Sequence, residues 1–255
     1  MPGFENLTPL VLFWIAIVVA AAGFLQGALG LGFPIVATPL IAMATDIRTA
    51  VIVVLLPCAA AVVLVLARAP YLKEALARFW PMPLLALCGS AIGTRIFVAF
   101  PAFPYALLLA GMIGVYLNLE RLGRAEWPLV KRNPRAFGLV AGVAAGLSEG
   151  TANVAAPPLV IYYLALGLTP AMLVQAMNIC FIAGKTMQFA TLATHGGVPA
   201  VQWLATMPLM VLAIGGAWYG TTVRERLDAA TYRKWLKRAL AAIAVLLVGQ
   251  YLLGK

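Results

Sequence analysis

Two stretches of this chain resemble one another, and each would interrupt a membrane helix. The first runs Gly23-Phe24-Leu25-Gln26-Gly27-Ala28-Leu29-Gly30-Leu31-Gly32-Phe33-Pro34 and leads into Thr38-Pro39-Leu40. The second runs Gly142-Val143-Ala144-Ala145-Gly146-Leu147-Ser148-Glu149-Gly150-Thr151-Ala152-Asn153 and leads into Pro157-Pro158-Leu159. Aligned without a gap, Gly23, Gly27, Pro39 and Leu40 fall on Gly142, Gly146, Pro158 and Leu159. Lipid cannot satisfy an irregular backbone, so such breaks must face protein or a wet cavity. A pair of Gly/Pro-interrupted apolar segments in corresponding halves points to the binding site of a secondary transporter.

Composition places the chain in a bilayer. It is 64% hydrophobic and 10% charged, whereas a soluble domain carries about 25% charged residues. The net charge of +10 is not a nucleic-acid footprint, because it collects in three short loops. These hold Arg68, Lys73 and Arg78; Arg121, Arg124, Lys131, Arg132 and Arg135; and Arg224, Arg226, Arg233, Lys234, Lys237 and Arg238. Loops rich in Lys and Arg mark the cytoplasmic side of a membrane protein. No Lys or Arg precedes the first apolar run, so residues 8–22 are expected to remain as structure. Cys58, Cys88 and Cys180 lie in apolar runs without metal-ligand spacing and are expected to be buried thiols.

Past the breaks, Pro81, Gly89, Gly93, Thr94 and Tyr105 match Pro208, Gly216, Gly220, Thr221 and Tyr232. The chain thus reads as a first membrane repeat over 1–120, a basic cytoplasmic linker over 121–135 and a second repeat over 136–255. Continuous helices are predicted over 48–67, 81–98, 102–119, 171–194, 200–222 and 232–253, each near the roughly 20 residues that cross a bilayer. If 8–46 and 138–166 each enter and return, all three basic loops share one side. The expected fold is therefore an all-α polytopic membrane protein of two inverted repeats. Each repeat has a broken re-entrant helical hairpin and three full crossings. An eight-crossing count, in which the broken segments span, is the alternative.

Candidate site residues follow from depth and polarity. Glycines let the backbone turn at the breaks, and helix N-termini beyond them would present amides to an anion. On that basis Gln26, Gly27 and Gly30 from the first break, and Ser148, Thr151 and Asn153 from the second, are candidate substrate contacts. Glu149 is a candidate coupling or gating residue, because a carboxylate at this depth is costly unless paired or protonated. Lys185 lies about 15 Å along its helix from His195 and is a candidate for the substrate or for Glu149. Asn178 and Gln188 share its helix and can share its face. Arg95 is a further candidate cation, near enough to the outer interface to snorkel instead. His195 reads as a surface residue, and Asp46 with Arg48 as a pair at a hairpin mouth. Trp127, Trp235, Tyr232 and Tyr71 suit an interfacial belt.

The two broken copies, Asn153 followed by Pro157-Pro158-Leu159-Val160 and Tyr162, and the Gly89/Gly93 and Gly216/Gly220 helices resemble the TauE/SafE family of sulfite exporters and sulfonate permeases. That resemblance covers essentially the whole chain. It implies a multi-pass inner-membrane transporter, an exporter of sulfite, sulfoacetate or other organosulfonates, with a coupling proton and no cofactor. Partners would be the anion, the proton and membrane lipid, with a homodimer open and no nucleic acid. The residues alone keep other readings open: a facilitative anion channel, a structural or assembly protein, and an intramembrane enzyme using Glu149, Lys185 and His195.

Overall fold

Proline marks where many of the helices begin. The computed structural model describes residues 8–68, 70–118 and 128–224, together with 238, 241, 244, 245, 248 and 249. Within these are α1 (Pro9–Leu29), α2 (Phe33–Ala44), α3 (Ile47–Ala67), α4 (Leu72–Phe79), α5 (Pro81–Ala99), α6 (Tyr105–Leu117), α7 (Pro128–Arg132), α8 (Pro134–Ala152), α9 (Ala156–Ala165), α10 (Pro170–His195) and α11 (Ala200–Val223). In α1, α5, α7, α8 and α10 the first residue is proline, whose missing N–H is one that a first turn leaves unpaired anyway. Thr8 and Thr169 cap α1 and α10, their hydroxyls accepting from the Val11 and Met172 amides. Asp46 does the same for α3, accepting from the Arg48 and Thr49 amides. Most of the helix predicted over 232–253 lies outside the described residues. So do Arg121, Arg124, Trp127, Arg226, Tyr232, Arg233, Lys234, Trp235 and Lys237.

Helices α1, α3, α5 and α11 are long and apolar enough to cross a membrane, and the chain is an all-α polytopic membrane protein. Along α11 the side chains of Val201, Leu204, Met207, Val211, Ile214 and Trp218 are exposed at helical spacing, an apolar stripe of the kind that meets lipid or another protein surface. The broken segments are not two equal halves. Helix α1 has 21 residues and α2 has 12; at 1.5 Å per residue these are about 32 and 18 Å. Helices α8 and α9 have 19 and 10 residues.

The helices divide into two compact units. One comprises α1, α2, most of α3 and α6, and α11; the other comprises α4, α5, α8, α9 and α10 with α7. Each takes its broken helix from one half of the sequence and that helix's packing partner from the other half. In the first unit a Cβ on Gly23 or Gly27 would collide with the main chain of Ala213 or Ala217, and one on Gly216 or Gly220 with that of α1. In the second, a Cβ on Gly146 or Gly150 would collide with the main chain of Ala86, Ser90 and Thr94, and one on Gly89 or Gly93 with that of Val143 or Leu147. Helices in lipid gain most of their association from such backbone-close packing.

The two sets of contacts are the same, shifted along the chain. Gly23 meets Ala213 as Gly146 meets Ala86, and Gly27 meets Ala217 as Gly150 meets Ser90. On the broken helices the step is 123 residues (146 − 23 and 150 − 27) and on their partners 127 (213 − 86 and 217 − 90). The gapless alignment of Gly23 with Gly142 is therefore off by about one helical turn. Small residues recur every four positions on these faces, so a four-residue slip leaves glycine over glycine and is invisible in the sequence. In the contact register Gly30 falls on Asn153, Pro34 on Pro157 and Gln26 on Glu149.

Candidate functional site

Both breaks end a helix in the same way and differ in what they carry. Gly30 caps α1 with φ 76°, a left-handed conformation that glycine adopts freely. Asn153 caps α8 with φ 62° and is the only described non-glycine residue with positive φ; asparagine is one of the few side chains that tolerate it. At the first break Gln26 is fully buried and spans the gap between α1 and α2: its Nε2 donates to the Gly30 carbonyl at 3.2 Å, and its Oε1 accepts from the Phe33 amide at 3.2 Å. Gln26 thus stitches the break, Gly30 turns it, and Gly27 seats α1 on α11.

At the second break the same position holds Glu149. Its carboxylate lies 2.5 Å from Lys185 Nζ, with both residues 1% exposed. Lys185 Nζ also donates to Asn153 Oδ1 and, at 3.2 Å, to Gln188 Oε1. Gln188 Nε2 donates back to the Glu149 main-chain carbonyl at 3.1 Å. One turn of α10 therefore meets the last turn of α8 through four buried polar side chains, among which Glu149 Oε1 has the Lys185 charge beside it but no hydrogen bond. The ammonium sits where the α8 dipole is negative, which favours a cation there. Taking two charges out of water costs several kcal/mol per ion, recovered only when pairing and hydrogen bonds are near complete. Among the described residues Glu149 is the one buried carboxylate and Lys185 the one buried cation.

Packing makes room for this cluster. A Cβ on Gly150 would lie 2.5 Å from the Thr94 amide, so α8 must approach α5 closely just beside Glu149. A Cβ on Gly184 would come within 3.2 Å of Glu149 Cγ. Ser90 donates to the Gly184 carbonyl at 2.8 Å, tying α5 to α10 at that level. Sequence reasoning singles out neither Ser90 nor Gly184. The available signal was that Ser90 is the polar member of a small-residue face whose counterpart is Ala217.

The remaining candidates lie elsewhere or are occupied. The Ser148 hydroxyl donates to the Ala144 and Ala145 carbonyls and that of Thr151 to the Leu147 carbonyl; both donors are spent within α8. Asn178 is buried, its Nδ2 donating to the Val174 carbonyl. Arg95 is exposed, on the face of α5 that also shows Leu84, Cys88 and Ile92, opposite the buried face of Ala86, Gly89, Ser90, Gly93 and Thr94. That geometry corrects the expectation for the cysteines as well: Cys58 and Cys180 are buried, but Cys88 is exposed because it lies on that outward face. His195 is exposed at the end of α10, its Nδ1 2.7 Å from Thr194 Oγ1. The amide cradle expected at the breaks is sparse: α9 has proline at its second and third positions, and in α2 the Phe33 amide is already engaged by Gln26 and Pro34 has none.

A broken, backbone-packed helix thus ends beside a buried lysine–glutamate pair. The family model for the sulfite exporter TauE/SafE matches residues 15–251. The chain belongs to the TauE/SafE family. It is accordingly a multi-pass transporter of small anions rather than an enzyme, and no group of three or more His, Cys, Asp or Glu able to hold a metal occurs among the described residues. No curated protein and no solved structure matches this TauE/SafE chain.

Proposed function

We propose that this TauE/SafE protein is a secondary exporter of small sulfur-containing oxyanions (sulfite, sulfoacetate or related organosulfonates) across the cytoplasmic membrane. Lys185 is the cationic contact, Asn153 and Gln188 position it, and Glu149 couples the cycle to a proton. The observation that carries this reading is the buried Glu149–Lys185 pair at the end of a broken helix. Lipid-embedded charges are so costly that a chain with 10% charged residues retains a buried pair mainly where function requires it. The family supports the sulfur chemistry.

Two repeats of opposite orientation complete the proposal. Arg68, Lys73 and Arg78 precede α5; Lys131, Arg132 and Arg135 precede or open α8; Arg224 follows α11. No charge occurs in 99–104 or 196–199. By the positive-inside rule the first group of segments faces the cytoplasm and the second faces outward. Helix α5 then runs outward and α11 inward, so matched helices of the two copies have opposite senses.

Reconstitution in proteoliposomes tests the function directly, with sulfite, sulfoacetate, taurine and sulfate offered under imposed pH gradients. Flux of at least one sulfur oxyanion that is driven by the gradient is the expected result. Flux that ignores the gradient and survives Glu149→Gln identifies a facilitative conductor instead. No flux of any anion rejects the transport assignment made here.

A further inference from the structure

Resting on that reading, we propose that the transported anion and Glu149 alternate as counter-ion of Lys185, so that each anion bound is accompanied by one proton taken up at Glu149. An ammonium has three N–H groups. Three oxygens, from Glu149, Asn153 and Gln188, surround Lys185 Nζ. Asn153 and Gln188 accept hydrogen bonds from Nζ, whereas the Glu149 oxygen is held by charge without a hydrogen bond. With Nζ buried, an incoming oxyanion must displace one of the three.

Asn153 and Gln188 are poor leaving partners. Asn153 is fixed as the left-handed cap of α8, and Gln188 is held from its other end by the Glu149 carbonyl. Neither carboxamide changes charge near neutral pH. Glu149 can leave, because protonation removes its claim on the cation. Were it to stay ionised beside a bound oxyanion, two anions would face one cation out of water, which strongly disfavours one of the two charges. The step balances simply. A hydron from water joins the Glu149 carboxylate, its ion pair with Lys185 breaks, and a new ion pair forms between Lys185 and the oxyanion; nothing is oxidised or reduced.

Among the described residues, the neighbours of Glu149 leave this exchange to Lys185. Helix α5 brings Cys88 and Arg95, both on its exposed face. Helix α9 brings Tyr162, whose hydroxyl donates to the Pro134 carbonyl, and Tyr163, whose hydroxyl meets Cys180 of α10. His195 closes α10 at an exposed position, and Lys131 and Arg132 of α7 are exposed too. The counterpart of Glu149 in the first unit is the neutral Gln26. Among the described residues the second break therefore carries a titratable exchange site and the first does not.

Charge conservation makes the proposal specific. A monovalent anion plus one proton adds no net charge to the site, whereas a divalent anion plus one proton adds one negative charge. The test uses the purified full chain with ethanesulfonate, a fixed monoanion, and sulfoacetate, a fixed dianion near neutral pH. Proton uptake on binding is read with a pH indicator in weak buffer, and flux is read in proteoliposomes clamped at different potentials. One proton per anion is expected for both, with affinity falling about tenfold per pH unit on the alkaline side. Ethanesulfonate flux should ignore the potential and sulfoacetate flux should follow it. Glu149→Gln should bind without proton uptake and without pH dependence, and the wild-type proton count decides the matter even if that variant folds poorly. Flux without proton uptake in the wild type, or uptake that persists in Glu149→Gln, overturns the exchange and leaves the transport reading standing. Absence of binding and flux for every anion tested overturns both.

Discussion

Replacing Lys185 with methionine removes the charge while keeping a long unbranched side chain of similar reach. It strands the Glu149 carboxylate, 1% exposed, with no cation in contact. Breaking a buried pair by removing one partner costs about 3–5 kcal/mol. The Asn153 and Gln188 oxygens lose their shared donor as well, about 1 kcal/mol or more each. Removing the second charge should repair most of this. The double variant Glu149→Gln/Lys185→Met leaves only neutral groups, and neutral replacement of a buried pair is often without cost. We expect Lys185→Met to lower the midpoint of thermal unfolding in detergent by on the order of 10 °C, taking 2–4 °C per kcal/mol. The double variant should return to within about 4 °C of the wild type, a coupling of about 2–3 kcal/mol in the double-mutant cycle. A Lys185→Met protein as stable as the wild type, or a double variant as unstable as the single one, would refute the claim that a buried charge pair organises this junction.

Other expectations follow from particular contacts. Asn153→Gly reproduces what the first break has in Gly30 and relaxes the φ of 62°, so the protein should fold at least as well while anion flux falls about tenfold, as measured by parallel unfolding and uptake assays. Gly27→Val and Gly150→Val should each cost about 3 kcal/mol or more through overpacking against Ala217 and Ser90, seen as loss of monodisperse protein on size-exclusion chromatography. A membrane-permeant maleimide should label Cys88 in the folded protein and spare Cys58 and Cys180 until denaturant is added.

Much of the helix plan was legible because long apolar runs bounded by proline admit few readings. The predicted 48–67, 81–98, 171–194 and 200–222 are observed as Ile47–Ala67, Pro81–Ala99, Pro170–His195 and Ala200–Val223. Helix α6 is shorter than predicted, Tyr105–Leu117, since Pro104 delays its start. The proximity of Glu149 and Lys185 was legible from cost alone: two charges deep in apolar sequence must find each other. The register between the two broken segments was not, because a small-residue face repeats every turn and only contacts with a third segment select the turn. Nor could sequence reveal that Ser148 and Thr151 spend their hydroxyls on their own helix, or that Arg95 shares the outward face of α5 with Cys88. Those outcomes depend on which side of a helix meets a neighbour.

The most direct test of the account is uptake of labelled sulfoacetate into proteoliposomes by the Glu149→Gln/Lys185→Met protein, compared with the wild type at matched folded content. The account predicts a folded, correctly inserted protein whose uptake is indistinguishable from empty liposomes. Uptake at the wild-type rate would place the anion path elsewhere in the molecule and contradict the role assigned to Lys185.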